Sequence, residues 1–340
     1  MVCVLSLAYF VRKKTTVGVN MLNLAMNAPK KSNSVCVSEA YDADLHASNL
    51  TNWQQEYDQT SRGVFYGRIV ELPFDGLQVF CEHTSQALQQ KCVVWPNSVW
   101  LGIPLAGQEE SRINGLTIKG NTIMCRPGSC DFQLSTPQDY DLYGLVVDRL
   151  KLIKMASIHG VDLNWKELTE YGRLGVPDKT LEEVRFVLAR LLSMKNKTTP
   201  PRLQQDIVMM ALLEVLKEET PQPAKTQSYY HRKKGVDCAR QFLDHHLDEP
   251  VTVTQLCEVT NVSRRTLQYS FESILGISPI QYLRISRLNG VRRSLVQAEK
   301  GQSVSDIAAL WGFWHLSQFA KDYKQLFGET PSKTLTGLSG

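Results

Sequence analysis

Residues 254–276, TQLCEVTNVSRRTLQYSFESILG, and residues 304–331, VSDIAALWGFWHLSQFAKDYKQLFGETP, decide the architecture, because the second repeats the pattern of the first. Each reads as a short helix, a turn and a second helix. In the first copy Leu256, Val259, Val262, Leu267 and Phe271 recur at three- to five-residue steps, lining one face of two short crossed helices. Asn261 stands at the corner, where a residue tolerating positive φ is needed. Ser263 is placed as N-cap, and Arg264 and Arg265 then open the second helix with two exposed cations. In the second copy Ile307, Ala308, Trp311 and Phe313 build the first helix and corner, with Gly312 at the turn. Phe319, Tyr323 and Phe327 follow at four-residue steps until Gly328 and Pro331 stop the helix. One such hairpin is a weak signal. Two in tandem specify a double helix-turn-helix whose second helices project into a DNA major groove. Residues 279–296 between them carry Ile280, Leu283, Ile285, Leu288, Val291 and Leu295, and read as one connecting helix. At ~1.5 Å per residue it spans about 27 Å, enough to hold two reading helices roughly one turn of DNA apart.

This stretch resembles the DNA-binding domain of the AraC/XylS family of bacterial transcription regulators. The residues carrying the likeness are GISPIQYLRISRLNGVRRSL (276–295) and SVSDIAALWGFWHLSQFAKDYKQLFGETP (303–331), with the family's Gly-Phe corner at Gly312-Phe313. The family's usual Pro-Ser-x-Tyr-Arg ending is absent, since Lys333-Thr334-Leu335 follow Pro331-Ser332. The resemblance implies that Arg265, Gln268 and Tyr269 of the first copy, and Ser317, Gln318 and Lys321 of the second, face the groove. Arg264, Arg292 and Arg293 are phosphate-contact candidates, with simple solvation as the alternative. Double-stranded promoter DNA and RNA polymerase are the implied partners, in the cytoplasm.

Charge placement agrees with this reading. Of 38 Lys+Arg and 34 Asp+Glu, 14 and 10 lie from Tyr230 onward, so that segment carries the whole formal charge of +4 and the remainder is neutral. The eight cysteines show no CxxC and no paired zinc spacing, the usage of reduced thiols. No apolar run approaches the ~20 residues that span a bilayer, so no membrane partner is expected. Residues 1–40 read as a poorly ordered or non-native extension, with Met21 and Met26 as alternative starts. MVCVLSLAYF precedes its charges, the reverse of a secretory signal.

Residues 41–147 read as a β-rich sensor. Trp53–Tyr57 suggests a short helix. Eight short runs follow, from VFYGRIVEL to YDLYGLVV, separated by turn formers such as Asp75-Gly76, Pro96-Asn97 and Pro127-Gly128. Such spacing argues for an antiparallel barrel or sandwich able to enclose a small ligand. The family resemblance implies a cupin-like barrel, so the fold class expected is α+β and multi-domain, with an all-α C-terminal double helix-turn-helix. A cupin-type metalloenzyme is the remote alternative. His83 is the lone histidine in the strand runs, no HxH occurs, and Cys81, Glu82 and His83 alternate across a strand, which argues against a metal and a catalytic site.

Residues 148–219 turn helical. Leu181, Val184, Leu188 and Leu191 stripe one helix, and Leu203, Ile207, Met210, Leu213 and Leu216 another. These faces pack on the sensor, form a homodimer interface, or do both. Residues 220–234, Pro- and Gln-rich and then basic, read as a linker, leaving 235–336 as the DNA-binding domain. Within the sensor, STPQDYDLYGLVV and VVWPNSVWLGIP are similar to ethanolamine-operon activators, which implies ethanolamine with adenosylcobalamin as effectors and no resident cofactor. Trp95, Trp100, Arg126 and Tyr66 are the effector-pocket candidates, a core or turn role being the alternative for the tryptophans and the arginine.

Overall fold

The computed structural model describes residues 34–163, 165–170, 172–193, 199–220, 225–246, 251–299 and 301–337. Its elements run β1 (Cys36–Ala40), α1 (Ala43–Ala47), β2 (Gln54–Gln59), β3 (Gly67–Phe74), β4 (Leu77–Thr84), β5 (Leu88–Val93), β6 (Ser98–Pro104), β7 (Ser111–Ile113), β8 (Leu116–Ile118), β9 (Thr122–Pro127), β10 (Phe132–Thr136) and β11 (Tyr140–Asp148). Then come α2 (Arg149–Ile158), α3 (Trp165–Glu170), β12 (Arg173–Gly175), α4 (Asp178–Ser193) and α5 (Pro201–Lys217). The C-terminal part holds α6 (Gln227–His245), α7 (Val253–Thr260), α8 (Arg264–Leu275), α9 (Pro279–Val296), α10 (Val304–Leu310), α11 (Leu316–Phe327) and α12 (Pro331–Thr336).

The β-rich part is two open antiparallel sheets, not one closed barrel. The larger has the order β1-β3-β4-β11-β6-β9-β12 and the smaller β2-β5-β10-β7-β8. Phe80, Trp100, Met124 and Val146 of the larger sheet meet Tyr57, Leu88, Phe132 and Leu134 of the smaller in one core. The opposite face of the larger sheet, with Val79, Leu101, Cys125 and Leu145, is covered by Leu152 of α2, Leu181 and Leu188 of α4, and Val208 and Leu212 of α5. A sheet buried on both faces needs apolar residues at successive positions, and β6 and β11 are apolar along nearly their whole length for that reason.

Three local expectations are corrected. Residues 36–40 of the supposed extension form β1, paired with β3 from Cys36↔Glu71 to Ala40↔Gly67, while residues 1–33 lie outside the described residues. The short helix expected at Trp53–Tyr57 is instead the start of β2, paired with β5 from Gln54↔Val93 to Gln59↔Leu88. One turn cannot sustain itself without packing, whereas Tyr57 buries its ring in the sandwich as a strand residue. The helix sits earlier, at Ala43–Ala47, where the Asp42 carboxylate caps it by accepting from the amides of Asp44 and Leu45 at 3.0 Å. Finally, α6 begins at Gln227 under a Thr226 cap, so the basic half of the segment read as linker is helical.

The C-terminal part has two cores. Leu256, Leu267 and Phe271 form the first with Tyr282 and Leu283 of α9, and Ile307, Phe319 and Tyr323 form the second with Leu288, Val291 and Leu295 of the same helix. One helix thus contributes to both hairpins and fixes their spacing.

Candidate nucleic-acid interface

The two reading helices start as the sequence requires. Asn261 adopts φ 52° at the first corner and Gly312 φ 75° at the second. The Ser263 hydroxyl accepts from the Thr266 amide at 3.2 Å to open α8. Arg264, Arg265 and Tyr269 are exposed and Gln268 is half-buried on the outer face of α8, with the Arg232 guanidinium 5.5 Å from the Tyr269 ring centre. On α11, Ser317, Gln318 and Lys321 are exposed, and the Gln318 amide donates to Asp322 at 2.7 Å. Asp322 is itself buried and ion-paired with Arg284 of α9. These seven candidates therefore lie on two helices that share one connecting helix. Such surfaces offer Arg, Gln and Lys donors to base edges and phosphates.

Arg292 and Arg293 are placed elsewhere. Their side chains are 14% and 20% exposed, and both are bonded to the sensor. Arg293 donates both terminal nitrogens to Asp58 at 2.7 Å and lies 3.1 Å from Glu56. Arg292 donates to Asp42 at 2.5 Å and to Glu329 at 2.9 Å. Neither points with the reading faces, so the phosphate role and the solvated role are both replaced by an ion-pair role. They follow one another on α9, and a turn earlier the Asn289 amide accepts from the Gln59 N–H at 2.9 Å and donates to the Gln59 carbonyl at 3.0 Å.

The sensor side is the outward face of the smaller sheet. On β2, Tyr57 and Gln59 are buried while Glu56 and Asp58 alternate toward α9. On β5, Leu88, Gln90 and Cys92 point inward and Gln89 and Lys91 point out. Lys91 bonds Asp244 of α6 at 2.9 Å. The last turns of both reading helices end here: Gln89 donates to the Leu275 carbonyl at 3.2 Å, and Gln59 and the Gly63 amide donate to the Leu326 carbonyl at 2.8 and 3.0 Å. Gly328, which caps α11 at φ 73°, has room for no side chain, since a Cβ there would come within 2.7 Å of Val64. The helix C-termini thus face the sensor, and their opening turns face away from it.

Burial disfavours the Arg293 charge, but Glu56, Asp58 and Asp44 outweigh it and hold its pKa above the usual value. Asp44, in the same cluster, is pushed up to about 6, chiefly by burial, with Arg293 opposing and Glu56, Asp42 and Asp58 adding to the rise. Sequence reasoning missed this cluster because Glu56 was read as part of a short helix and Asp58 was assigned to no element. QQEYDQ holds Tyr57 as its one apolar residue, so no alternation in the sequence marked it as a strand.

The effector candidates separate. Trp95 and Trp100 are fully buried, with Trp100 stacked on Phe132 at 4.7 Å between ring centres. Arg126 is half-buried and lies opposite Trp100 on the neighbouring strand. Tyr66 lies apart from them, with its hydroxyl on Glu39 at 2.9 Å and its ring against Tyr41 and His83. His83 bonds Asp141 at 3.1 Å. A buried polar group that sequence reading did not find is Glu82, which accepts from Tyr57 at 3.0 Å and lies 3.0 Å from His46.

A helix-turn-helix domain family model matches residues 256–337, the two hairpins with α9 between them. The XylDLEGF operon transcriptional activator of Pseudomonas putida is 31% identical over 281 residues, covering 80% of this chain and 79% of that protein. The chain belongs to the AraC/XylS family of transcription regulators. The family's DNA-binding domain accounts for its C-terminal third. The probable thc operon regulatory protein of Rhodococcus erythropolis is 40% identical over 101 residues, 29% of this chain and 30% of that protein. A second Pseudomonas putida activator matches over 62% of its own length, so these two alignments span less than two thirds of the relatives concerned. Among solved structures, a probable AraC family transcriptional regulator from Rhodopseudomonas palustris CGA009 is 29% identical, covering 31% of this chain and 96% of that one at a TM-score of 0.29. Among the described residues no helix is long and apolar enough to cross a membrane.

The Asp44 carboxyl generates a pH prediction. Because its folded pKa is raised, the stability it contributes is fully present below the unfolded value of 3.8 and is lost as pH rises through about 6. Asp44→Asn should therefore remove that loss and stabilise the chain at pH 7 by about 1–3 kcal/mol, while matching the parent at pH 4. Urea midpoints across this range provide the check, and parallel pH profiles for the two proteins would contradict the assignment.

Proposed function

We propose that this protein is a sequence-specific activator of a catabolic operon, acting in the cytoplasm on promoter DNA together with RNA polymerase. The observation that carries the reading is the pair of exposed faces, Arg264, Arg265, Gln268 and Tyr269 on α8 and Ser317, Gln318 and Lys321 on α11, held by one helix. Support for an operon-activating role comes from the Pseudomonas putida relative, a XylDLEGF operon transcriptional activator, and the Rhodococcus erythropolis relative, a probable thc operon regulatory protein. The ethanolamine and adenosylcobalamin assignment has no support among those relatives. Those two compounds are kept only as members of an effector panel, and a cupin-like sensor with a pocket near Trp95 and Trp100 stays a proposal of the same kind.

A homodimer is part of the proposal. Leu203, Ile207 and Met210 are 51%, 41% and 43% exposed on one side of α5. They continue toward a groove of about 350 Å³ whose lining mixes Val161, Met210, Leu213 and Leu216 with Asp162, Glu214 and Lys217. Exposed apolar surface of this kind marks interfaces.

Selection of genomic fragments by the purified protein tests the central reading: some fragments should outcompete bulk DNA at physiological salt, and none doing so would end it. On a selected fragment Arg265→Ala should cost about 1–3 kcal/mol and relax the preference at particular bases. A uniform loss over all sequences would move Arg265 to the phosphate class. For the interface, Ile207→Glu should turn a sedimenting dimer into a monomer with unchanged circular dichroism, whereas a native chain that sediments as a monomer would remove the dimer from the account.

A further inference from the structure

At one end of the sandwich Arg126, Arg173 and Lys225 gather, with the Glu170 and Glu219 carboxylates in the surroundings but not ion-paired to them among the described residues. Arg126 on β9 is the cross-strand partner of Trp100, and Arg173 on β12 is the partner of Met124. Trp100 and Met124 both face the space between the sheets, so the two arginines issue from that same face. Arg173 donates to the Thr117 carbonyl of β8 at 3.2 Å, which fixes its position at the rim. The lead-in and first turn of α6 lie over this rim: Tyr229 donates to the Asn114 carbonyl at 2.8 Å, and Lys225 donates to the Glu170 carbonyl at 2.8 Å. Lys233, one turn along α6, is bonded to Asp237 at 2.7 Å.

The contrast with the rest of the junction is informative. Arg292, Arg293 and Lys91 are each matched by carboxylates. Among the described residues, Arg126, Arg173 and Lys225 take part in no ion pair, and Arg126 Nε and the neighbouring Trp100 Nε1 are buried donors with no acceptor. Half-buried cations left unpaired are costly, and buried donors without partners add to that cost. One ligand chemistry relieves both.

We propose that Arg126, Arg173 and Lys225 form a binding site for a small oxyanion, the carboxylate or phosphate group of a metabolite, at the seam between the sensor and α6. An anion there contacts strands of the sensor and, through Lys225, the lead-in to the first helix of the DNA-binding domain. Its occupancy therefore changes how firmly the two are joined. The site is separate from the reading faces, and its test contains no DNA, so it stands or falls independently of the proposed function.

The Lys225 amine supplies a local readout. Burial lowers its pKa to about 8, with Arg126, Lys233 and Arg173 adding to the fall and Glu170 opposing it. Near pH 8 it should react with acetic anhydride faster than exposed lysines such as Lys179, as followed by peptide mass spectrometry on the full chain. Inorganic phosphate and acetate are the probes, each compared with chloride at equal ionic strength. An anion beside Lys225 that raises its pKa by about one unit cuts the free amine, and hence the labelling rate, about fivefold at that pH. Protection by phosphate alone assigns a phosphorylated ligand, and protection by acetate alone assigns a carboxylate. Arg126→Gln and, separately, Arg173→Gln should each abolish the protection while Lys179 labels as before. Equal rates in all three salts, or protection that survives both substitutions, would each overturn the proposal.

Discussion

The guanidinium of Arg293 is held between Asp58 and Glu56, two carboxylates that alternate outward on a single sensor strand. The seam between the two halves is centred on this contact, with Arg292–Asp42 and Lys91–Asp244 beside it. A buried ion pair adds little net stability over an apolar contact of the same shape, but breaking one side leaves an unpaired charge at a cost of about 3–5 kcal/mol. Such a contact tolerates one register and penalises its neighbours. Asn289, one turn away, adds two bonds to the backbone of Gln59. Together they bolt α9 to β2. Because α9 contributes to both helix-turn-helix cores, fixing it fixes both reading helices.

The layers then take their order from charge and burial. The helices α2, α4 and α5 cover the outer face of the larger sheet, the two sheets share an apolar interior, and the polar back of the smaller sheet meets the DNA-binding domain. Only that last boundary is held mainly by ion pairs and hydrogen bonds. Polar seams are where relative motion between domains is expected, since less apolar surface must be exposed to open them. The C-terminal turns of α8 and α11 rest on the seam while their reading faces remain exposed, so the contact governs the geometry of the pair without covering the groups that would touch DNA.

The sequence made the double helix-turn-helix legible in detail because its rules are local. Asn261 and Gly312 occupy left-handed corners, Ser263 caps, and the connecting helix spans Pro279–Val296. The strands from β3 to β11 were largely legible too, though not β1, β2 or the division into two sheets, which depends on pairings between residues as distant as Phe132 and Cys92. Arg292 and Arg293 show the limit most clearly. Two adjacent arginines beside a DNA-binding motif read as phosphate contacts, and nothing near them in sequence reveals that their partners are Asp42 and Asp58, some 250 and 235 positions away. Trp95 and Trp100 are fully buried in the apolar interior between the sheets.

Hydrogen exchange at the Gln59 and Gly63 amides measures the clamp most directly, because both donate across the seam, to Asn289 and to the Leu326 carbonyl. In Arg293→Asp both amides should exchange faster by about two orders of magnitude, the equivalent of losing roughly 3 kcal/mol of protection. The paired change Asp58→Arg with Arg293→Asp should restore much of it. Unchanged protection in Arg293→Asp would contradict the account, since the halves would then be held by something other than this charge pair.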